Sequence, residues 1–237
     1  LMGPVRPLKE MFDAMAERTN LDFWGLTIHH GAEGNPFKGK HLYNYLPVHI
    51  QSHFIVYRKK FIQSKELQNY WDTMPMIESY TDSVQRYESV FTKQFADKGY
   101  QWDVYVNTDD LKEFTDYPLL VCPTRLLRDK KCPLFKRRSF MHDFEAYLND
   151  TAGEPVRELY AYLRDHTDYP LELIWKNMIR TMHPYDFTRN LGLTRLIPER
   201  VQDEACAAAV RKNRRIALCM HLYFMDMLPQ SCAFAAN

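Results

Sequence analysis

Three short apolar runs set among stretches of helical periodicity constrain this chain most. Residues 21–28 (LDFWGLTI), 53–58 (HFIVYR) and 100–106 (YQWDVYV) have the length and the aromatic and β-branched content of buried strands. Before the first run, Leu8, Met11, Phe12 and Met15 recur at helical spacing, with Pro7 suited to the first helical position. Residues 60–71 read as a helix, and residues 79–98 as a longer one that Gly99 closes. Gly31, Gly34, Pro36 and Gly39 punctuate a loop after the first run. Strands alternating with helices predict an α/β layer architecture. The 8 glycines form neither GxGxxG nor GxxxxGK[ST], which excludes the common dinucleotide fingerprint and the P-loop.

The character changes after about Asp109. Residues 154–166 carry Val156, Leu159, Tyr160 and Leu163 on one helical face, and residues 170–181 carry Leu171, Ile174, Trp175 and Met178 on another. Residues 199–213 are charged and alanine-rich, and read as a linker or an exposed helix. Residues 215–220 (RIALCM), followed by HLYFMDML, open another strand–helix unit. The sequence ends at Asn237 before that unit could bury its face, so a piece of a longer protein is expected. The expected divisions are 1–110, an α/β segment; 111–198, a mainly helical extension with a basic segment; 199–213, a linker; and 214–237, the start of a second α/β module.

Hydrophobic residues make up 46% and charged residues 26%, which fits a folded globular chain. Lys+Arg 31 against Asp+Glu 30 leaves a net charge of +1, so no global field favours nucleic acid. The 5 cysteines are odd in number and contain no CxxC pair, which points to free thiols in a reducing compartment. The longest apolar-leaning run, 216–228, is too short to span a bilayer, and the first residues lack signal-peptide features. A cytoplasmic location is expected.

Four groups of residues could carry chemistry. Glu88 lies in the stripe of Val84, Phe91 and Phe95, and a carboxylate there must be paired or functional because burying it alone is costly. It reads either as a structural ion pair or as a general base. His29, His30, His41, His49 and His53 fall within 25 residues, but HIQSH lacks the glutamate of HExxH, so polar residues at a pocket mouth are favoured over a zinc site. Arg125, Arg128, Lys130, Lys131, Lys136, Arg137 and Arg138 form a basic run broken among acids only by Asp129. It is either a solvated loop or a phosphate site, and the lack of stacking aromatics argues against nucleic acid. Trp24, Tyr43, Tyr45, Tyr57 and Tyr87 are core aromatics or flat faces for a sugar or nucleobase.

Several stretches together resemble the rhamnan synthesis protein F family of bacterial glycosyltransferases. They are GPVRPLKEMF, LDFWGLT, LPVHIQSHFIVYRKKF, the Tyr87–Glu88 pair with TKQFADKGY, CPLFKRRSF and TDYPLELIWKNMIRT, in order over residues 3–198. The resemblance implies that 1–110 is the C-terminal half of a GT-A-like (Rossmann-type) domain. It implies assembly of rhamnose-containing cell-surface polysaccharide, with a nucleotide-activated donor of the dTDP-L-rhamnose kind and a polyprenyl-linked saccharide acceptor. The setting it implies is the cytoplasmic membrane face, with peripheral membrane contact. By the same pattern Glu88 takes the proton from the acceptor hydroxyl. Trp24, Thr27, His49, Gln51 and Ser52 would line the donor and acceptor cleft, and Lys136, Arg137 and Arg138 would stabilise the leaving diphosphate. An acidic DxD-type motif for Mg or Mn is expected upstream of Leu1, so no metal ligand is assigned within the chain. Asp109 and Asp110 read as a loop.

Two other readings stay open. One is a non-catalytic carbohydrate- or partner-binding module on the same fold. The other is a metal hydrolase built on His49 and His53.

Overall fold

The computed structural model describes residues 1–34, 42–140, 154–183, 191 and 228–235. The chain forms two compact units, Leu1–Thr194 and Arg195–Asn237. The second is described only in one helix, Leu228–Ala235. The predicted linker at 199–213 and the strand at 215–220 lie outside the described residues.

The first unit is mixed α/β. Its three-stranded sheet has the order β4 (Ile55–Tyr57), β1 (Phe23–Gly25), β5 (Trp102–Val104). β1 pairs antiparallel with β4, placing Phe23 opposite Tyr57, and parallel with β5, placing Phe23 opposite Trp102. A second, two-stranded sheet pairs β2 (Ile28–His29) with β3 (His49–Ile50). The three predicted strands thus form one sheet. The run 21–28, however, serves both sheets, because the chain leaves β1 after Gly25 and pairs again from Ile28.

Successive side chains of a strand point to opposite faces, and here each face has its own core. Trp24 joins a cluster with Met11 and Met15 of α1 (Leu8–Ala16), Leu119 of α6 (Pro118–Val121) and Leu126 of α7 (Pro123–Arg128). The same cluster takes in Val156, Leu159 and Leu163 of α8 (Glu154–His166) and Ile174 and Met178 of α9 (Glu172–Thr181). Phe23 points the other way, to Phe61 of α2 (Lys59–Ile62), Leu67 of α3 (Lys65–Asp72) and Phe91 and Phe95 of α5 (Ser89–Ala96). The Phe23 and Phe61 rings stack at 4.9 Å, and burying each such ring contributes about 1.5–3 kcal/mol. Helices cover both faces of the sheet, and one core joins residues on either side of position 110.

Two predicted helices are interrupted. Residues 60–71 divide into α2 and α3 because Ser64 restarts the helix, its hydroxyl accepting from the Leu67 N–H at 3.2 Å. Residues 79–98 begin with a short helix, α4 (Tyr80–Ser83), then widen into a π-helical turn, Val84–Glu88, before α5. Gly99 ends the segment at φ +90°, as its position after the helix suggests. Gly25 is required for space: a Cβ there would sit 2.1 Å from Ile50 Cγ2.

Candidate functional site

The π turn positions the candidate carboxylate. Its hydrogen bonds run i to i+5, so it holds one residue more than an α turn, and such turns recur at functional sites. Here the wide turn leaves Ser83, Tyr87 and Glu88 lining the same cleft as Phe91 of α5. The cleft has a volume of about 380 Å³, with Tyr57, Tyr70 and Trp71 completing an aromatic wall. Ser52 holds Glu88 from the loop between β3 and β4. Its backbone N–H donates to Glu88 Oε2 at 3.3 Å and its hydroxyl donates to the same oxygen. Among the described residues Glu88 Oε1 carries no hydrogen bond.

Lys136 stands within electrostatic reach of this carboxylate, and neutral imidazoles stand within reach of Lys136. Lys136 is half-buried, and burial lowers its ammonium pKa, an effect that Glu88 opposes and Arg138 reinforces. Arg138 donates to the Tyr80 hydroxyl at 3.3 Å and lies over that ring. His53 is held down to about 3 by burial and then by Lys136, so its imidazole is neutral. His29 is lowered to about 4, first by burial and then by His49, against the raising effect of Asp116. Burial pushes the Tyr57 phenol up to about 12.

The expected site residues meet different fates. Glu88 and Ser52 come together at the cleft. Thr27 and Gln51 are buried as a pair, the Thr27 hydroxyl donating to Gln51 Oε1 at 2.8 Å. His49 stacks on His29 at 5.0 Å, and its Nδ1 donates to the Pro47 carbonyl at 2.8 Å. Trp24 is 3% exposed, packed between Phe12 and Phe54, and offers no open ring face to a sugar. Arg137 lines a different cavity from Glu88. The basic run is no single patch: Arg125 and Lys130 both pair with Asp110, at 2.7 and 2.5 Å, and Arg128 pairs with Asp129.

The sequence reading missed Tyr70 and Trp71, which wall the cleft, and Tyr80, which seats Arg138. The only signal in the sequence was the aromatic content of YW at 70–71. Among the described residues no three His, Cys, Asp or Glu side chains converge as a metal site. No described helix is long and apolar enough to cross a membrane.

Comparison with curated proteins and with solved structures finds no match. The rhamnan synthesis protein F profile, in contrast, matches residues 1–237, the entire chain. The mixed α/β architecture is compatible with a glycosyltransferase-like domain, and the profile implies a glycosyltransferase-related part in rhamnan polysaccharide synthesis. A match of that extent places the chain in the rhamnan synthesis protein F family.

Proposed function

We propose that this chain contributes the acceptor side of a GT-A-like glycosyltransferase that moves a deoxyhexose, L-rhamnose from dTDP-L-rhamnose, to a polyprenyl-linked saccharide at the cytoplasmic membrane face. The observation that carries the reading is the cleft itself. A carboxylate held by Ser52 stands at an aromatic wall suited to the apolar face of a sugar. Glu88 takes the proton of the acceptor hydroxyl as that oxygen bonds to the anomeric carbon. The bond from that carbon to the diphosphate breaks, and the electron pair leaves with the diphosphate. Lys136 and Arg138, both within electrostatic reach of one another and Lys136 also of Glu88, meet the developing charge. A divalent cation would supply further neutralisation of the diphosphate. Among the described residues no three His, Cys, Asp or Glu side chains converge as a ligand set for one.

Glu88→Gln in the full-length protein tests the assignment. Transfer from dTDP-L-rhamnose to a lipid-linked saccharide is expected to fall by about 10²–10⁴-fold, with the circular dichroism spectrum unchanged. Transfer near the wild-type rate removes Glu88 from the mechanism. Saccharide binding without turnover in the wild-type protein would instead favour a binding module on the same fold.

A further inference from the structure

We propose that the Glu88 cleft is one of two adjoining saccharide subsites, and that the second, in the groove between α3 and the end of α5, holds the next unit of a neutral oligosaccharide. The inference rests on the reading of the cleft as a saccharide site, and not on Glu88 acting as a base. Along α3 and its C-terminal end, Glu66, Asn69, Tyr70 and Thr73 recur at helical spacing, which puts them on one face. Gln94 of α5, with Asp97 and Lys98 just beyond its end, supplies the facing wall. Between the walls is a cavity of about 370 Å³, within the size range of small-ligand sites. Tyr70 lines both this cavity and the Glu88 cleft. Its ring is fixed by edge contacts with Phe91 at 5.3 Å and Phe95 at 5.5 Å. The two spaces therefore meet at one immobile ring, and a chain of sugars can pass from one to the other.

The lining carries hydrogen-bonding groups of both senses, which is what sugar hydroxyls need. Carboxylates accept, and carboxamides both donate and accept. The two carboxylates are already set in place by phenols. The Tyr100 hydroxyl donates to Glu66 Oε2 at 3.0 Å, and the Tyr43 hydroxyl donates to Asp97 Oδ2 at 3.4 Å. Each carboxylate keeps lone pairs for a further donor. Tyr43, from the loop before β3, lines the cavity together with Tyr70, so two aromatic rings stand among the polar groups. The formal charges cancel in pairs: Lys93 bonds Asp97 at 2.7 Å, and Lys98 lies within electrostatic reach of Glu66. A neutral ligand meets no net field there, whereas a phosphate would face both carboxylates. Solvated polar side chains are common on any surface. This place is marked by their convergence with two aromatic rings on a cavity that shares a wall with the cleft.

L-rhamnose and a linear rhamnose trisaccharide are titrated separately into the full chain without donor, and backbone amide shifts are followed. Shifts of residues 83–88 report the cleft, and those of residues 94–98 report the groove. The monosaccharide is expected to move the first set and the trisaccharide both, with the trisaccharide binding about tenfold or more tightly because it spans two subsites. Asn69→Ala and Gln94→Ala are each expected to weaken the trisaccharide by about two- to tenfold, as loss of one hydrogen bond would, and to leave the monosaccharide unchanged. Both positions are helical and alanine favours a helix, so the fold is retained. Gln68→Ala, on α3 but outside the lining, is expected to change neither ligand. Trp71→Ala, in the cleft wall, is expected to weaken both. Equal affinity for the two ligands, or equal weakening by Gln68→Ala, overturns the second subsite while the response to Trp71→Ala keeps the cleft. No binding of either saccharide overturns the cleft reading and the subsite with it.

Discussion

Acid should destabilise the first unit through His53, and the size of the effect follows from its surroundings. Burial, and then Lys136, hold the folded imidazole down to about 3, against 6.5 for an ordinary histidine. Between those values the unfolded chain binds a proton that the folded chain does not. Stability therefore rises with pH across the window, is fully present above 6.5, and is lost as pH falls toward about 3. Integrated from about pH 7 to about pH 5, one such histidine removes about 2 kcal/mol. His29, lowered to about 4, acts in the same direction. His53→Phe abolishes the titration while keeping a flat ring in a site where Nε2 is buried without a hydrogen-bond partner. Urea denaturation of wild type and variant at the two pH values is the assay. The variant is expected to lose about 2 kcal/mol less than wild type over this interval, whatever its absolute stability at neutral pH. An identical pH dependence in the two proteins refutes the argument, and with it the burial of a neutral His53 beside Lys136.

Gly25→Ala is expected to destabilise by about 1–3 kcal/mol, because the new Cβ meets Ile50 Cγ2 within a packed core; thermal denaturation checks it. Ile50→Ala in the same chain should absorb part of that loss, so the two substitutions are expected to be non-additive. Thr27→Val leaves Gln51 Oε1 buried without its donor and is expected to cost about 1–3 kcal/mol, read by urea denaturation. Its effect on saccharide binding should be small, since the Thr27 hydroxyl already serves Gln51.

The layered α/β order was legible because the three apolar runs and the helical stripes around them carry different periods. What was not legible has identifiable physical causes. The run 21–28 reads as one strand because Phe23, Trp24, Leu26 and Ile28 are all buried, so a change of sheet leaves the apolar pattern unbroken. The π turn at Val84–Glu88 rests on a change in backbone hydrogen bonding that no residue type marks. Ser64, by contrast, is an ordinary N-cap residue inside an apolar repeat, and weighing it would have divided 60–71 correctly. Glu88 was legible as a carboxylate in an apolar stripe. Tyr70 and Trp71 were not, because their side of a short helix becomes a cleft wall only when the π turn packs across from it.

The basic run shows why density of charge along a sequence is a poor guide to a site. Seven cations fall within fourteen residues, yet the fold assigns them by the counter-charge it brings to each. Asp110, twenty residues before Lys130, reaches both Lys130 and Arg125, and Asp129 takes Arg128, so this part of the run is structural. Lys136, Arg137 and Arg138 are consecutive, but the 3₁₀ turn that begins at Arg137 sends them apart. Lys136 turns inward toward Glu88 and His53, Arg138 settles on Tyr80, and Arg137 faces Lys176 and Arg180 across a separate cavity. The run therefore divides among three surroundings, and only side-chain direction, which the sequence does not mark, separates its members.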